Sequence, residues 1–169
     1  WWGMIVGKWT WREGLRHGAT TVRGKKYINF ASKHGFDEVL IEGISAGFTG
    51  LFAGDTVTTS FTKTTSDFDL KLVQQYAKSQ GVSLQSYQES SASTRNYLIQ
   101  VDTAFAQLKA LGIQKAKIGH VGAMLDKKEY HYGQYGVNYY RKVLKKGAEY
   151  QVAINFHEPI KDTGERRTY

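Results

Sequence analysis

An α/β fold, a partial (β/α)8 TIM barrel of about five parallel strands with intervening helices, is predicted by three features of this 169-residue chain. Short apolar runs alternate with amphipathic stretches long enough to serve as crossovers between parallel strands. The junction "helix, glycine, apolar run" occurs in HGFDEVLI, QGVSLQ and LGIQKAKI. No Gly-x-Gly-x-x-Gly phosphate loop accompanies these repeats, which favours a barrel over a dinucleotide-binding sheet. A flavodoxin-like five-stranded domain fits the pattern and the length equally well.

The elements follow in order. MIVGKW (4–9) reads as the first strand. TTVRGKKYINFASKHG (20–35) reads as a helix. Val22, Tyr27, Ile28, Phe30 and Ala31 lie close to one face, and Gly35 is its stop. EVLIEG (38–43) is the second strand, and FDLKLVQQYAKSQG (68–81) a helix that again ends at glycine. VSLQSYQE (82–89) is the third strand. STRNYLIQVDTAFAQLKALG (93–112) is a long helix, capped by Ser93 or Thr94 and ended by Gly112. IQKAKIG (113–119) is the fourth strand, GQYGVNYYRKVLKKGAEY (133–150) a helix, and QVAINFHE (151–158) the fifth strand. With strands in sequence order, the first and fifth are open edges, which predisposes an isolated chain to self-association.

Composition narrows the function classes. Hydrophobic content of 41% marks a globular chain rather than a disordered one. No apolar run approaches the ~20 residues of a membrane span, and no signal peptide is visible. The chain begins with Trp1, so its sequence leaves localisation unknown. Without cysteine it has no disulfide or thiolate chemistry. The net charge is +8. Its lysines (Lys25, Lys26, Lys71, Lys78, Lys142, Lys145, Lys146) are dispersed at solvent-facing helix positions, with no compact arginine-rich run, so nucleic acid is not the expected partner.

In a (β/α) barrel, function gathers at the C-terminal ends of the strands. Those ends carry Glu42, Glu89, Lys117 with His120, and His157 with Glu158. A charged group there must be solvated, paired or metal-bound. Each could simply be the first polar residue of a loop, but three of five strands ending in glutamate is more than that reading explains. Clustered carboxylates suit acid and base work on a glycosidic bond, or capture of a hard cation such as calcium. His157 suits a metal or a sugar hydroxyl, although a lone strand-end histidine is more often just hydrogen-bonded. Aromatic rings stack on sugars, and WWGMIVGKWTW holds all four tryptophans, some of which alternation must assign to the core. Tyr130, His131 and Tyr132 open the loop after the fourth strand, where exposed aromatics would line a pocket.

The chain resembles glycoside hydrolase family 97, the bacterial α-glucosidases and α-galactosidases. The match runs through WWGM, GKWTW, HGATT, KKYINFASKHGFDEVLIEG, DFDL, YAKSQGV, KALGIQKAKIGHVG and EYHYGQYGVNYYRKV, in the family's order. It ends on HEPIKDTGERRTY, the most specific block. The resemblance implies a (β/α) barrel hydrolysing terminal α-glycosidic bonds of an oligosaccharide, in a periplasmic or secreted bacterial enzyme. It implies that Glu89, after the third strand, and Glu158, in the His-Glu-Pro block, are base carboxylates of an inverting mechanism. Glu158 would also bind calcium. Lys117 and His157 fall on sugar-contacting positions, and Glu42 on a position expected to contact substrate.

Three departures accompany the resemblance. The family's general acid and further calcium-binding glutamates lie downstream of the last block, and a β-sandwich domain precedes the barrel. Residues 1–169 are therefore expected to be one incomplete barrel domain, inactive alone. Two histidines usual before the strand-three glutamate are Tyr87 and Gln88 here, and a tryptophan-rich stretch after the second strand is replaced by one bearing Phe48 and Phe52. A non-catalytic carbohydrate- or metal-binding half-barrel is the principal alternative, and a basic nucleic-acid-binding α/β domain a weaker one.

Overall fold

The structure, a computed structural model, describes residues 2–51 and 59–160. Phe52 and the last nine residues of the terminal block fall outside that range. In chain order the elements are α1 (Trp2–Ile5), α2 (Thr21–His34), β1 (Glu38–Leu40), α3 (Leu70–Ser79), β2 (Ser83–Glu89) and α4 (Thr94–Leu111). They continue as β3 (Lys115–Gly119), β4 (Met124–Leu125), β5 (Glu129–Tyr130), α5 (Gln134–Tyr150) and β6 (Ala153–Phe156). β1, β2, β3 and β6 form one parallel sheet in that order, while β4 and β5 form a small antiparallel hairpin. The fold is a partial TIM barrel.

One expected strand is absent. MIVGKW forms α1 and the turns after it. Its backbone is satisfied locally, with Val6 N–H donating to the Trp2 carbonyl and Trp9 N–H to that of Gly3. Only Met4 of this run is buried, so the segment lacks the half-buried face that would hold it in a sheet. The sheet of the described residues therefore has four strands.

The helix boundaries follow local chemistry. The Thr20 hydroxyl accepts from Arg23 N–H at 3.3 Å to start α2, and Gly35, at φ 71°, ends it. The Asp69 carboxylate accepts from Leu72 N–H at 2.9 Å to start α3. α4 is capped differently: neither Ser93 nor Thr94 accepts a first-turn N–H with its side chain. Asp126, in the turn of the β4–β5 hairpin, accepts from Arg95 N–H at 3.1 Å and from the Thr94 hydroxyl at 2.6 Å. A distant carboxylate thus meets the positive end of the helix dipole.

Register then sorts the side chains. Ser86 pairs with Ala116, and Lys117 with Asn155. Alternation places Ile41, Leu84, Ala116, Ile118 and Ile154 toward the helices. There they join two apolar clusters, one centred on Tyr97, Phe105 and Val143, the other on Ile28, Phe68 and Val73. The same alternation turns Glu42, Tyr87, Glu89, Lys117, Gly119 and His157 to the opposite face, the inner wall of the barrel. No helix of the described residues is long and apolar enough to cross a membrane.

Candidate active site at the strand ends

Glu89 ends β2 and is 1% exposed. Its Oε1 accepts from the backbone N–H groups of Ser91 at 2.6 Å and Val121 at 3.1 Å. Its Oε2 is buried and has no hydrogen-bond partner among the described residues. Burial, the largest cause, pushes the Glu89 carboxyl up to about 7. The two N–H groups oppose that shift, the Glu158 charge adds to it, and Lys117 opposes it.

Beside it, Gly119 has a steric reason to be glycine. A Cβ built there would lie 2.0 Å from Glu89 Oε2 and 3.3 Å from Glu158 Oε2. The carboxylates occupy the space that a side chain on β3 would take.

Glu158 follows β6, with φ at 52°, in the left-handed region that residues other than glycine seldom adopt. His157 Nδ1 lies 2.9 Å from Glu158 Oε1. Glu158 Oε2, like Glu89 Oε2, is buried without a hydrogen-bond partner among the described residues. Ligand atoms of Glu89, His157 and Glu158 all lie within 4.8 Å of one another.

A second group sits along the same wall. Lys117 Nζ donates to Glu42 Oε1 at 2.7 Å, with side-chain exposures of 16% and 4%. Lys117 also lies 5.6 Å from the ring centre of Tyr87. Burial first, then the charges of Glu89, Glu42 and Glu158, raise the Tyr87 hydroxyl well above its ordinary value, so it stays neutral. Phe48 packs edge-on against Tyr87 and against Trp11. It also lines a cleft of about 650 Å³ with Arg12, Glu13, Thr65 and Ser66.

The fold thus brings the five predicted site residues to one face, as a Glu89–His157–Glu158 cluster and a Glu42–Lys117 pair. Gln88 does not join them: its Oε1 accepts from the Tyr97 hydroxyl at 2.5 Å, on the helix side. Of the aromatics after the fourth predicted strand, Tyr130 and Tyr132 are exposed, but His131 is buried. His120 is fully buried as well. Burial, then His131 and His157, push it down to about 3, so it is neutral. Trp9 and Trp11 have packing roles: Trp9 lies 3.5 Å beneath the Arg23 guanidinium, and Trp11 fills the space against Gly43 and Gly50, whereas Trp2 is exposed. Trp1 lies outside the described residues. Sequence reasoning missed Tyr140, whose hydroxyl donates to the Glu158 carbonyl. Within the helix it is one tyrosine among four, with no distinguishing signal.

Parallel strand–helix units that gather carboxylates at their strand ends are an arrangement suited to glycoside hydrolysis. The family model for glycoside hydrolase 97 matches residues 1–169. A family 97 enzyme from Pseudoalteromonas sp. strain K8, solved with acarbose, is 41% identical over 100% of this chain, with a TM-score of 0.91. A glutamate-to-glutamine variant of a family 97 enzyme from that strain, solved with panose, gives the same figures. This chain covers 27% of those chains. A β-arabinopyranosidase shares the fold at 17% identity and a TM-score of 0.59, over 89% of this chain and 22% of its own. The chain belongs to glycoside hydrolase family 97.

Proposed function

We propose that residues 1–169 are part of the catalytic barrel of an exo-acting α-glycosidase that cleaves terminal α-glucosidic or α-galactosidic bonds with inversion. Glu89 and Glu158 act as the base side of the site, and a water between them attacks the anomeric carbon. Glu89, desolvated and hence a stronger base than an exposed carboxylate, takes the proton of that water. His157 orients the Glu158 carboxylate. The Glu42–Lys117 pair meets sugar hydroxyls, and the packed Tyr87 and Phe48 rings back that wall. The general acid lies elsewhere in a longer enzyme, so residues 1–169 alone give no turnover. The solved relatives with acarbose and panose support an oligosaccharide partner.

Gly119 carries the inverting assignment. By resemblance, retaining members place an aspartate nucleophile at the end of this strand. Here the position is glycine, and Glu89 Oε2 fills the space beside it. One observation favours a second reading. Glu89 and Glu158 approach within 4.8 Å, closer to the ~5–5.5 Å of a retaining pair than to the ~6.5–9.5 Å between an inverting acid and base. If both stand on the water side, their spacing is not the acid–base distance. If they are acid and nucleophile, the enzyme retains. Proton NMR of the first-formed sugar decides between them: a β-anomer from an α-glycoside supports inversion, and an α-anomer sinks it.

Glu158, with Glu89 and His157 beside it, fits part of a calcium shell. Two unpartnered buried carboxylate oxygens are hard donors, although two carboxylates supply at most about four of the six to eight oxygens calcium prefers. Bound calcium would supply positive charge that holds the two carboxylates together and orients a water or a sugar hydroxyl beside them. The remaining ligands would come from other segments. Residues 1–169 alone should therefore bind calcium no tighter than the millimolar range, about the value for weak modules. Micromolar affinity by calorimetry would overturn that.

A further inference from the structure

Behind Glu158 lies a buried polar chain that the catalytic reading does not use. His131 Nδ1 is 3.2 Å from the Gly122 carbonyl. His131 Nε2 is 3.1 Å from His120 Nε2 and 3.2 Å from the Tyr140 hydroxyl. His120 Nε2 is 2.6 Å from that same hydroxyl, which donates to the Glu158 carbonyl. All three side chains are nearly or wholly buried.

Only one arrangement of protons for neutral rings satisfies the contacts to the two carbonyls, and it places no proton between His131 Nε2 and the Tyr140 hydroxyl. A carbonyl can only accept, so His131 carries its proton on Nδ1 and leaves Nε2 bare. The Glu158 carbonyl takes the single Tyr140 proton. The short contact between His120 and Tyr140 therefore needs its proton from His120 Nε2–H, which also points to bare His131 Nε2. His120 Nδ1 is then a lone pair, in keeping with its lack of a hydrogen-bond partner among the described residues. The chain runs in one direction, from His120 through Tyr140 to Glu158, with His131 Nε2 accepting from His120 and holding that ring in place.

The end of that chain is a strained point. Glu158 has φ 52° and precedes Pro159, where bulk on the next ring further restricts the backbone. Such a conformation is strained and persists only where its surroundings hold it. The Tyr140 ring is wedged against Phe156, two residues before Glu158, at 4.3 Å between ring centres. Its supports come from the loop after β3 and from the end of the β4–β5 hairpin. At the start of α5, Gly136 lets the helix meet the His131 carbonyl, which a Cβ would strike at 1.9 Å.

We propose that Tyr140, oriented by His120 and His131, is a positioning residue that fixes the left-handed turn aiming the Glu158 carboxylate into the site. This rests on the reading of Glu158 as a site residue. Tyr139 provides the control, because it is equally buried but its hydroxyl has no hydrogen-bond partner among the described residues.

The test compares Tyr140→Phe with Tyr139→Phe in the full-length protein. Tyr140→Phe should lower kcat on an α-glycoside about 10–100-fold, the scale of a misplaced catalytic group, with KM within about threefold. Tyr139→Phe should stay within about twofold of wild type. Equal losses in both variants, or none in Tyr140→Phe, would overturn the proposal. Independently of activity and of variant folding, long-range proton–nitrogen NMR of the wild-type histidines should show His131 protonated on Nδ1 and His120 on Nε2. A His120 proton on Nδ1 would send the Tyr140 proton elsewhere and refute the chain. Absence of wild-type turnover would count against the hydrolase reading alone. The histidine spectra would then decide the positioning claim.

Discussion

Phe105 and Glu89 are buried to the same degree, at 0% and 1% exposure, on opposite sides of one sheet. Their burial has opposite consequences. Phe105 lies among Tyr97, Leu108, Val143 and other apolar neighbours, where removal from water stabilises the fold. Glu89 loses its hydration for two N–H donors and leaves one oxygen unsatisfied. That burial raises its proton affinity rather than holding the chain together. The difference separates residues kept for stability from those kept for chemistry, although exposure alone would class them together.

The strongest way to break the comparison acts on the apolar side. Phe105→Ala should destabilise the protein by about 3–5 kcal/mol, as buried Phe→Ala changes do, because the cluster cannot collapse fully around the lost ring. Urea unfolding measures this. Turnover per folded molecule should be unchanged. A loss below about 1 kcal/mol would mean that the cluster is plastic.

Glu89→Gln should do the reverse. It keeps the shape and the acceptor for Ser91 and Val121 but removes the base. In the complete enzyme kcat should fall at least ~100-fold, the lower scale for losing a general base. Thermal stability should hold or rise at neutral pH. The sign follows from linkage. Glu89 has a folded pKa near about 7 against an ordinary 4.5, so between those values the folded state holds the extra proton. Its contribution to stability is therefore present below about 4.5 and is lost as pH rises through about 7. Activity runs the other way, rising with pH to a half-point near about 7 as the base ionises. That limb should vanish in Glu89→Gln, and its survival would assign the base to another group.

How far the sequence reveals these two sides depends on how local their causes are. The helices were legible because periodicity and glycine stops are written within each segment, as at Gly35 and Gly112. The inner-wall residues were legible because strand alternation and the strand-end rule place Glu42, Glu89 and Lys117 together once a barrel is assumed. The resemblance then supplied roles that spacing does not. MIVGKW misled because an apolar run fits a strand or a short helix equally well, and only its tertiary neighbours decide. The Asp126 cap on α4 and the grip of Tyr140 on Glu158 join segments far apart in the chain, so no window of sequence contains both partners. His131 sat in an exposed-looking run, YHY, yet alternation buried the middle member.

The smallest expected effect sharpens the comparison at its edge, between a buried ion pair and a surface one. The Lys117–Glu42 pair has side-chain exposures of only 16% and 4%, so removing the lysine strands a carboxylate in a desolvated wall. Lys146 also makes close contacts, at 2.6 Å to Asp102 and 3.1 Å to Glu149, but those partners are 51% and 58% exposed. Its hydrogen bonds to Asp102 and Glu149 raise the Lys146 ammonium above its ordinary 10.5. Any stability this confers is fully present at neutral pH and is lost only as pH rises past that value. Water and salt screen both partners, and holding long side chains together carries its own entropy cost. Lys146→Met should therefore leave the melting temperature unresolved from wild type at pH 7, at low salt and in 1 M salt alike. A marked drop that salt abolishes would show that geometry can make an exposed cluster count, and burial would no longer be what distinguishes the two pairs.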